Sequence, residues 1–441
     1  VVTARRWPQI KRLRAATDFR QRLDELGITL PFADPPAVDA LAAPAPVAGR
    51  DTVNRFAILP MEGWDGTDDG RPTELVRRRW SRFGTSGASL VWGGEAFAVL
   101  PEGRANPHQL CVGPSSADDL AELHALLAPE QVAGLQLTHS GRWAVTSRPA
   151  RHDPLLDSRR TGPPLSAAEL DALADDYAAA AVLAAGAGFD FVDVKACHGY
   201  LQHELLGGPE PLEERSRWLR TTIERVRAAA PGLTIGVRLS VFDVVPHHPG
   251  ADGSGEPDVE GDIAFGFAAS DAPALLDLLD VDLVCVTAGS PYYCPHVQRP
   301  AYFPPSDGYL PPEDPLAGVA RLLAAATDLA MAAPHLTVVA TGLSYLQEWL
   351  PHVASALVRD TDVAFAGLGR LALSYPDAPA DILAGRPLDG RRLCRTFSDC
   401  TTGPRNGLVS GCWPLDDFYK SRPDRVDLAR AKRAAKWSVD D

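Results

Sequence analysis

Leu336-Thr337-Val338-Val339-Ala340-Thr341-Gly342-Leu343 opens on five residues of continuous apolar and β-branched character, with a glycine two places beyond. A strand with one wet face would alternate polar and apolar side chains. An uninterrupted run suits a strand buried on both faces, as parallel sheets require. Seven similar runs occur, at Arg55–Met61, Ala88–Glu95, Val132–His139, Phe189–Ala196, Leu233–Ser240, Val281–Gly289 and Asp362–Gly369. Amphipathic segments separate them. In Pro211–Pro231, Leu219, Ile223, Val226 and Ala230 share one helical face, and Leu346, Trp349, Leu350, Val353 and Leu357 do so in Tyr345–Arg359. Strand then helix, eight times, predicts an α/β fold, the (β/α)8 TIM barrel.

An open doubly wound sheet is the alternative, because Gly367-Leu-Gly369-Arg-Leu-Ala372 approximates a dinucleotide fingerprint after a strand. Only about seventy residues follow it, too few for the further strand–helix units that reading needs. A glycine turn after the eighth strand is instead where barrels hold a phosphate on backbone N–H groups. The expected organisation is an N-terminal extension over 1–50, a barrel over 51–385, and a C-terminal extension over 386–441 packed on it and ending in a charged helix. Residues Val1–Arg22 read as a surface strand and helix, and Pro246–Asp262 as a polar loop.

Composition narrows the function. The 441 residues carry 43 basic and 57 acidic side chains, a net charge of −14, which disfavours nucleic acid and anionic membrane as partners. No apolar run reaches the roughly 18 residues that span a bilayer, and no signal peptide is evident. Seven scattered cysteines imply no disulfide framework. The expectation is a cytoplasmic enzyme acting on a small molecule, with a homo-oligomer left open.

Polar residues at the C-terminal ends of barrel strands are the candidates for chemistry. The densest cluster is Asp193-Val-Lys195-Ala-Cys-His198-Gly-Tyr200, and Lys195 is one of only five lysines. A tyrosine with an ordinary pKa of about 10 keeps its proton at neutral pH and can act as general acid. A histidine beside it can donate to a carbonyl oxygen as charge develops there. An arginine such as Arg238 can stabilise an anionic cofactor. A lysine at a strand end is also compatible with Schiff-base or decarboxylase chemistry through Lys195.

Five motifs in register give the chain a resemblance to the old yellow enzyme family of FMN-dependent oxidoreductases. They are Asn54-Arg-Phe-Ala-Ile-Leu-Pro60-Met61, Gln136-Leu-Thr-His139-Ser-Gly141-Arg142, Val194-Lys195-Ala-Cys-His198-Gly-Tyr200-Leu201, Gly236-Val-Arg238, and the glycine loops at Gly342 and Gly369-Arg370. The resemblance implies FMN held by Pro60, Met61, Glu62, Gly93, Gln136, Arg238, Gly342, Gly369 and Arg370, with NAD(P)H as reductant. It implies hydride transfer to an electron-poor C=C conjugated to a carbonyl. His198 and Lys195 then hold the substrate oxygen, and Tyr200 supplies the proton. Trp64, Tyr292 and Tyr293 are candidate substrate contacts. Two positions depart from the family pattern: Lys195 stands where it commonly has a second His, and Glu62 where it has Thr or Cys. They keep open the flavin-dependent oxidation of an amine or saturated ring. No metal site is expected. Cys394, Cys400 and Cys412 are one short of the four cysteines that hold an iron–sulfur cluster in some relatives, so none is expected here.

Overall fold

The computed structural model describes residues 7–153, 156–244, 247–249, 255–257 and 271–435. Eight parallel strands close on themselves: β1 (Phe56–Ile58), β2 (Leu90–Val91), β3 (Val132–Thr138), β4 (Phe191–Ala196), β5 (Thr234–Ser240), β6 (Leu283–Thr287), β7 (Thr337–Ala340) and β8 (Phe365–Leu368). Each pairs with its neighbours in sequence, and β8 returns to β1 through Ala366 opposite Phe56. Helices alternate with them: α1 (Glu74–Gly84), α2 (Ala117–Ala125), α3 (Ala167–Gly186), α4 (Arg217–Ala229), α5 (Asp271–Leu278), α6 (Pro315–Ala332), α7 (Leu350–Asp360) and α8 (Ala378–Leu383). The eight-fold barrel expected from the runs is the observed fold.

The core has two layers. Inside the cylinder, Ala57, Leu59, Leu90, Trp92, Phe191, Leu283, Cys285, Val339 and Phe365 fill the axis. Outside it, the opposite strand faces meet the helices in one continuous cluster. Alternation along each strand makes this division, and it explains why the runs carry no polar face. Gly134 is needed in the interior, since a Cβ there would sit 2.2 Å from the Phe191 ring.

Three expectations are corrected. The run Ala88–Glu95 is not one strand. β2 stops at Val91, and a separate strand, Ala96–Ala98, pairs with the upper half of β3. Gly94 makes the break, with φ +56 and the Trp80 ring 2.4 Å from where its Cβ would be. Tyr345–Arg359 is likewise broken: a 3-10 segment ends at Trp349 and α7 begins at Leu350, with Gln347 at φ 52. Pro351 has no N–H to give the preceding turn, so it starts a helix rather than continuing one. In the N-terminal segment the described residues to Arg22 form a 3-10 turn and part of a helix (Ala16–Leu26) but no strand, and Phe19 is buried against Phe32 and Trp349. The expectation about apolar runs stands uncorrected: α6 is 18 residues long and apolar enough to cross a membrane by length and composition, but Arg321 and Asp328 interrupt its apolar run. It lies between β6 and β7 with Leu316, Val319, Leu322 and Leu323 buried in the core. Most of the Pro246–Asp262 loop lies outside the described residues, apart from a short antiparallel pair of His247–Pro249 with Gly255–Pro257.

Candidate functional site

The strand ends converge on a cavity of about 750 Å³. Pro60, Met61, Glu62 and Trp64 come from the loop after β1, Gln136 from β3, Lys195, His198 and Tyr200 from the end of β4, and Arg238 from β5. Tyr292 and Tyr293 follow β6, Gly342 follows β7, and Gly369 and Arg370 follow β8. Every candidate site residue except Gly93 therefore lines one space. Gly93 lies behind Gln136, where a Cβ would meet Gln136 Cβ at 2.8 Å.

Asp193 fixes the floor from inside the barrel. It is fully buried and accepts from Trp92 Nε1 at 2.7 Å, Gln136 Nε2 at 2.5 Å and the Arg238 backbone N–H at 2.6 Å. Burial pushes its carboxyl up to about 6, and these three donors restrain the rise. One carboxylate thus orients both Gln136 and the strand that carries Arg238.

Above the floor the hub is Glu62. Its carboxylate accepts from Lys195 Nζ at 2.8 Å, Tyr200 Oη at 2.7 Å and Trp64 Nε1 at 3.1 Å. The ammonium of Lys195 also sits 3.8 Å from the Tyr200 ring centroid, a cation–π contact. Lys195 therefore pairs with Glu62 and not with Asp193. His198 and Gly199 follow in the left-handed region, at φ 63 and φ 72. A side chain held there costs about 1 kcal/mol or more and marks a position over-determined by its surroundings. Burial, Arg238 and Lys195 hold the His198 imidazole well below its ordinary range. Burial and then the Glu62 charge hold the Tyr200 phenol well above its own.

The cavity was tested for fit to a flavin on its buried nitrogens. Among the described residues Arg238 Nε and Arg370 Nη1 find no hydrogen-bond partner, although Arg238 Nη1 donates to Pro60 O at 3.3 Å and Arg370 Nη2 to Pro300 O at 2.6 Å. Burial with nothing to accept costs about 1–3 kcal/mol for each such group. Both residues line the cavity, so a ligand bearing acceptors there fits. The cysteine-rich region does not fit a cluster. Cys394, Cys400 and Cys412 border a void of about 20 Å³ together with Phe397, offering three thiols where a four-iron cluster takes four thiolates. Burial raises the Cys394 and Cys412 thiols, and neighbouring cysteines raise them further.

Residues 43–260 match the model of the NADH:flavin oxidoreductase / NADH oxidase family. Over that stretch, just under half its length, the chain is similar to this family. It is 30% identical over 212 residues to the NADPH dehydrogenase of Bacillus velezensis, covering 43% of this chain and 60% of that protein. The match thus spans about three-fifths of the relative's length. Among solved structures, an old yellow enzyme homologue from Zymomonas mobilis superposes with a TM-score of 0.54 at 20% identity, over 79% of this chain and 94% of that one. A 2-naphthoyl-CoA reductase in complex with 2-naphthoyl-CoA gives 0.67 at 16% identity, over 89% and 58%. These structural likenesses establish the eight-fold barrel and nothing finer.

Sequence reasoning missed the arginines of the cavity wall. Arg159 and Arg160 reach it from the segment between β3 and α3, Arg299 from the segment between β6 and α6, and Arg405 from the C-terminal segment. None lies at a strand end, so no register signal pointed to them.

Proposed function

We propose that the chain is an FMN-dependent oxidoreductase that reduces an electron-poor C=C conjugated to a carbonyl, with NAD(P)H as reductant. The observation that carries this reading is the convergence of Gln136, Arg238, His198 and Tyr200 on one cavity above a closed barrel. Bound FMN would supply hydride chemistry at its reactive ring edge. Gln136 and Arg238 would hold its ring, and Gly342, Gly369 and Arg370 its phosphate, on backbone N–H groups and a guanidinium.

The chain's own residues account for the rest. His198, neutral at working pH, donates a hydrogen bond to a carbonyl oxygen as charge grows on it. Tyr200 keeps its proton until a carbanion-like carbon, a far stronger base than any carboxylate, is within reach. The resulting phenolate would lie under the Lys195 ammonium, already over the ring. The Lys195–Glu62 pair also weakens two competing readings. A lysine committed to a carboxylate at 2.8 Å is a poor Schiff-base nucleophile. A carboxylate already neutralised by Lys195 is a poor receptor for an amine substrate.

The purified protein is expected to bind FMN and turn yellow, to be bleached anaerobically by NADH or NADPH, and to regain its colour with a simple enone. A protein that stays colourless after reconstitution with FMN would end this reading. The pH behaviour follows from the two shifts. Tyr200, raised above its ordinary value of about 10, stays protonated throughout pH 6.5–9, and His198, lowered below about 6.5, stays neutral there. The rate at saturating substrate is therefore expected to show no inflection in that window from either group. A fall of tenfold per pH unit inside it, abolished in His198→Asn, would contradict the assignment.

A further inference from the structure

Charge in the cavity runs against charge in the chain. Among the described residues of this protein of net charge −14, seven cationic side chains and only two carboxylates, Glu62 and Asp307, line this one space. Both carboxylates are spoken for. Glu62 holds Lys195, and Asp307 holds Arg405 at 2.7 Å. On the flavin reading, Arg238 and Arg370 answer the cofactor, whose phosphate carries between about −1.5 and −2 at neutral pH.

Arg159, Arg160 and Arg299 remain; Arg159 is exposed and donates to the Tyr292 carbonyl at 2.8 Å, which leaves Arg160 and Arg299 as the less exposed two. Arg160 Nη2 donates to the carbonyls of Ala144 at 2.6 Å and Val145 at 3.0 Å, and Arg299 Nη1 donates to Thr401 Oγ1 at 2.6 Å. These acceptors are neutral, and among the described residues neither guanidinium forms an ion pair. Arg160 is thus held by its own loop, and Arg299 by Thr401 of the C-terminal segment, within the field of Asp307 but not paired with it.

Arg405 links the surroundings of the two. Tyr292, stacked on Trp143 with ring centroids 3.6 Å apart, lies within the fields of Arg405 and Arg160. Arg299 lies within those of Arg370 and Arg405, which together with burial push its guanidinium down to about 9. Like charges crowded into a concave wall raise the local potential and concentrate an anion there. Guanidinium groups are also the side chains best matched to the planar oxygens of carboxylate and the tetrahedral oxygens of phosphate.

We propose that the part of the cavity walled by Arg160, Arg299 and Arg405 receives an anionic group, carboxylate or phosphate, carried by the molecule that reacts beside Tyr200. The inference rests on the flavin reading for where reaction occurs, but not for the anion preference itself. The anion has two sources: the reducible substrate, or the 2′-phosphate that distinguishes NADPH from NADH.

The test uses the FMN-loaded enzyme and its Arg160→Gln and Arg299→Gln variants, with cinnamaldehyde against 4-carboxycinnamaldehyde and, because the reduced nucleotides would bleach the flavin, NAD+ against NADP+ as unreactive stand-ins for NADH and NADPH. Dissociation constants are read from the change in the visible flavin spectrum and, independently of any flavin, by titration calorimetry. The anionic member of at least one pair is expected to bind about tenfold more tightly at low salt, with the margin shrinking near 0.3 M salt. Each variant is expected to lose most of that margin while binding the neutral aldehyde unchanged. Loss confined to the aldehyde pair assigns the anion to the substrate, and loss confined to the nucleotide pair assigns it to the reductant. Equal binding within both pairs, or an anion margin that survives in both variants, overturns the proposal. If Arg299→Gln does not fold, Arg160→Gln decides alone. A protein that never turns yellow but discriminates both pairs by calorimetry would sink the flavin reading and leave this one standing.

Discussion

Replacing Tyr200 by Phe is expected to slow reoxidation of the reduced enzyme by an enone about 10²- to 10⁴-fold, the usual contribution of a positioned general acid. The substitution removes one oxygen and leaves the ring, so the cation–π contact with Lys195 is retained in kind. It also removes one of the three donors to Glu62, leaving Lys195 and Trp64 in place. Reduction by NAD(P)H requires no proton from Tyr200 and is expected to change less than about threefold. The two half-reactions are separated by anaerobic stopped-flow. Equal slowing of both would mean that Tyr200 positions Glu62 and Lys195 rather than transferring a proton. Unchanged reoxidation would remove it from the chemistry altogether. A nitroalkene, whose product anion is stable without immediate protonation, should be reduced by Tyr200→Phe at close to the parent rate.

The barrel was legible because burial on both faces leaves an uninterrupted apolar signature, and all eight runs contain an observed strand. The breaks were not legible. Gly94 looks like any strand glycine until the Trp80 ring is found where its Cβ would stand. At the site, Lys195, His198 and Tyr200 could be placed because the motif that carries them sits at the C-terminal end of a barrel strand. The partner of Lys195 could not be chosen between Glu62 and Asp193. That choice depends on Trp92 and Gln136 occupying Asp193 from across the barrel, a relation between residues 57 to 101 positions apart. The wall arginines depend on how long loops fold back over the mouth, which local pattern does not encode.

Arg79→Met is expected to cost about 3–5 kcal/mol, the range for breaking a buried ion pair by removing one partner. Arg79 on α1 is 5% exposed and lies between two carboxylates, Asp65 at 0% and Glu95 at 1%. It bonds Glu95 at 2.6 Å, reaches Asp65, and donates to the Ser410 carbonyl at 3.1 Å. Those carboxylates in turn accept from Ser410 N at 2.8 Å and Gly63 N at 3.2 Å, while Ser410 Oγ accepts from Trp64 N at 3.1 Å. A single guanidinium therefore ties the C-terminal segment to the loop that carries Glu62 and Trp64. Burial alone would lower its pKa, but Glu95 and Asp65 together hold it above the ordinary value. Burial also raises the Glu95 carboxyl against the pull of Arg79. Without that pull the carboxyl rises further. A group whose folded pKa is raised contributes stability below its unfolded pKa and loses it as pH rises through the folded value. The deficit of the variant should thus be smaller near pH 5 than near pH 8, a slope visible in urea midpoints followed by tryptophan fluorescence. Adding Asp65→Asn and Glu95→Gln should recover part of the loss by removing the charges left behind. A variant within about 1 kcal/mol of the parent at pH 8 would mean that water reaches both carboxylates and that the segment is held by its other contacts.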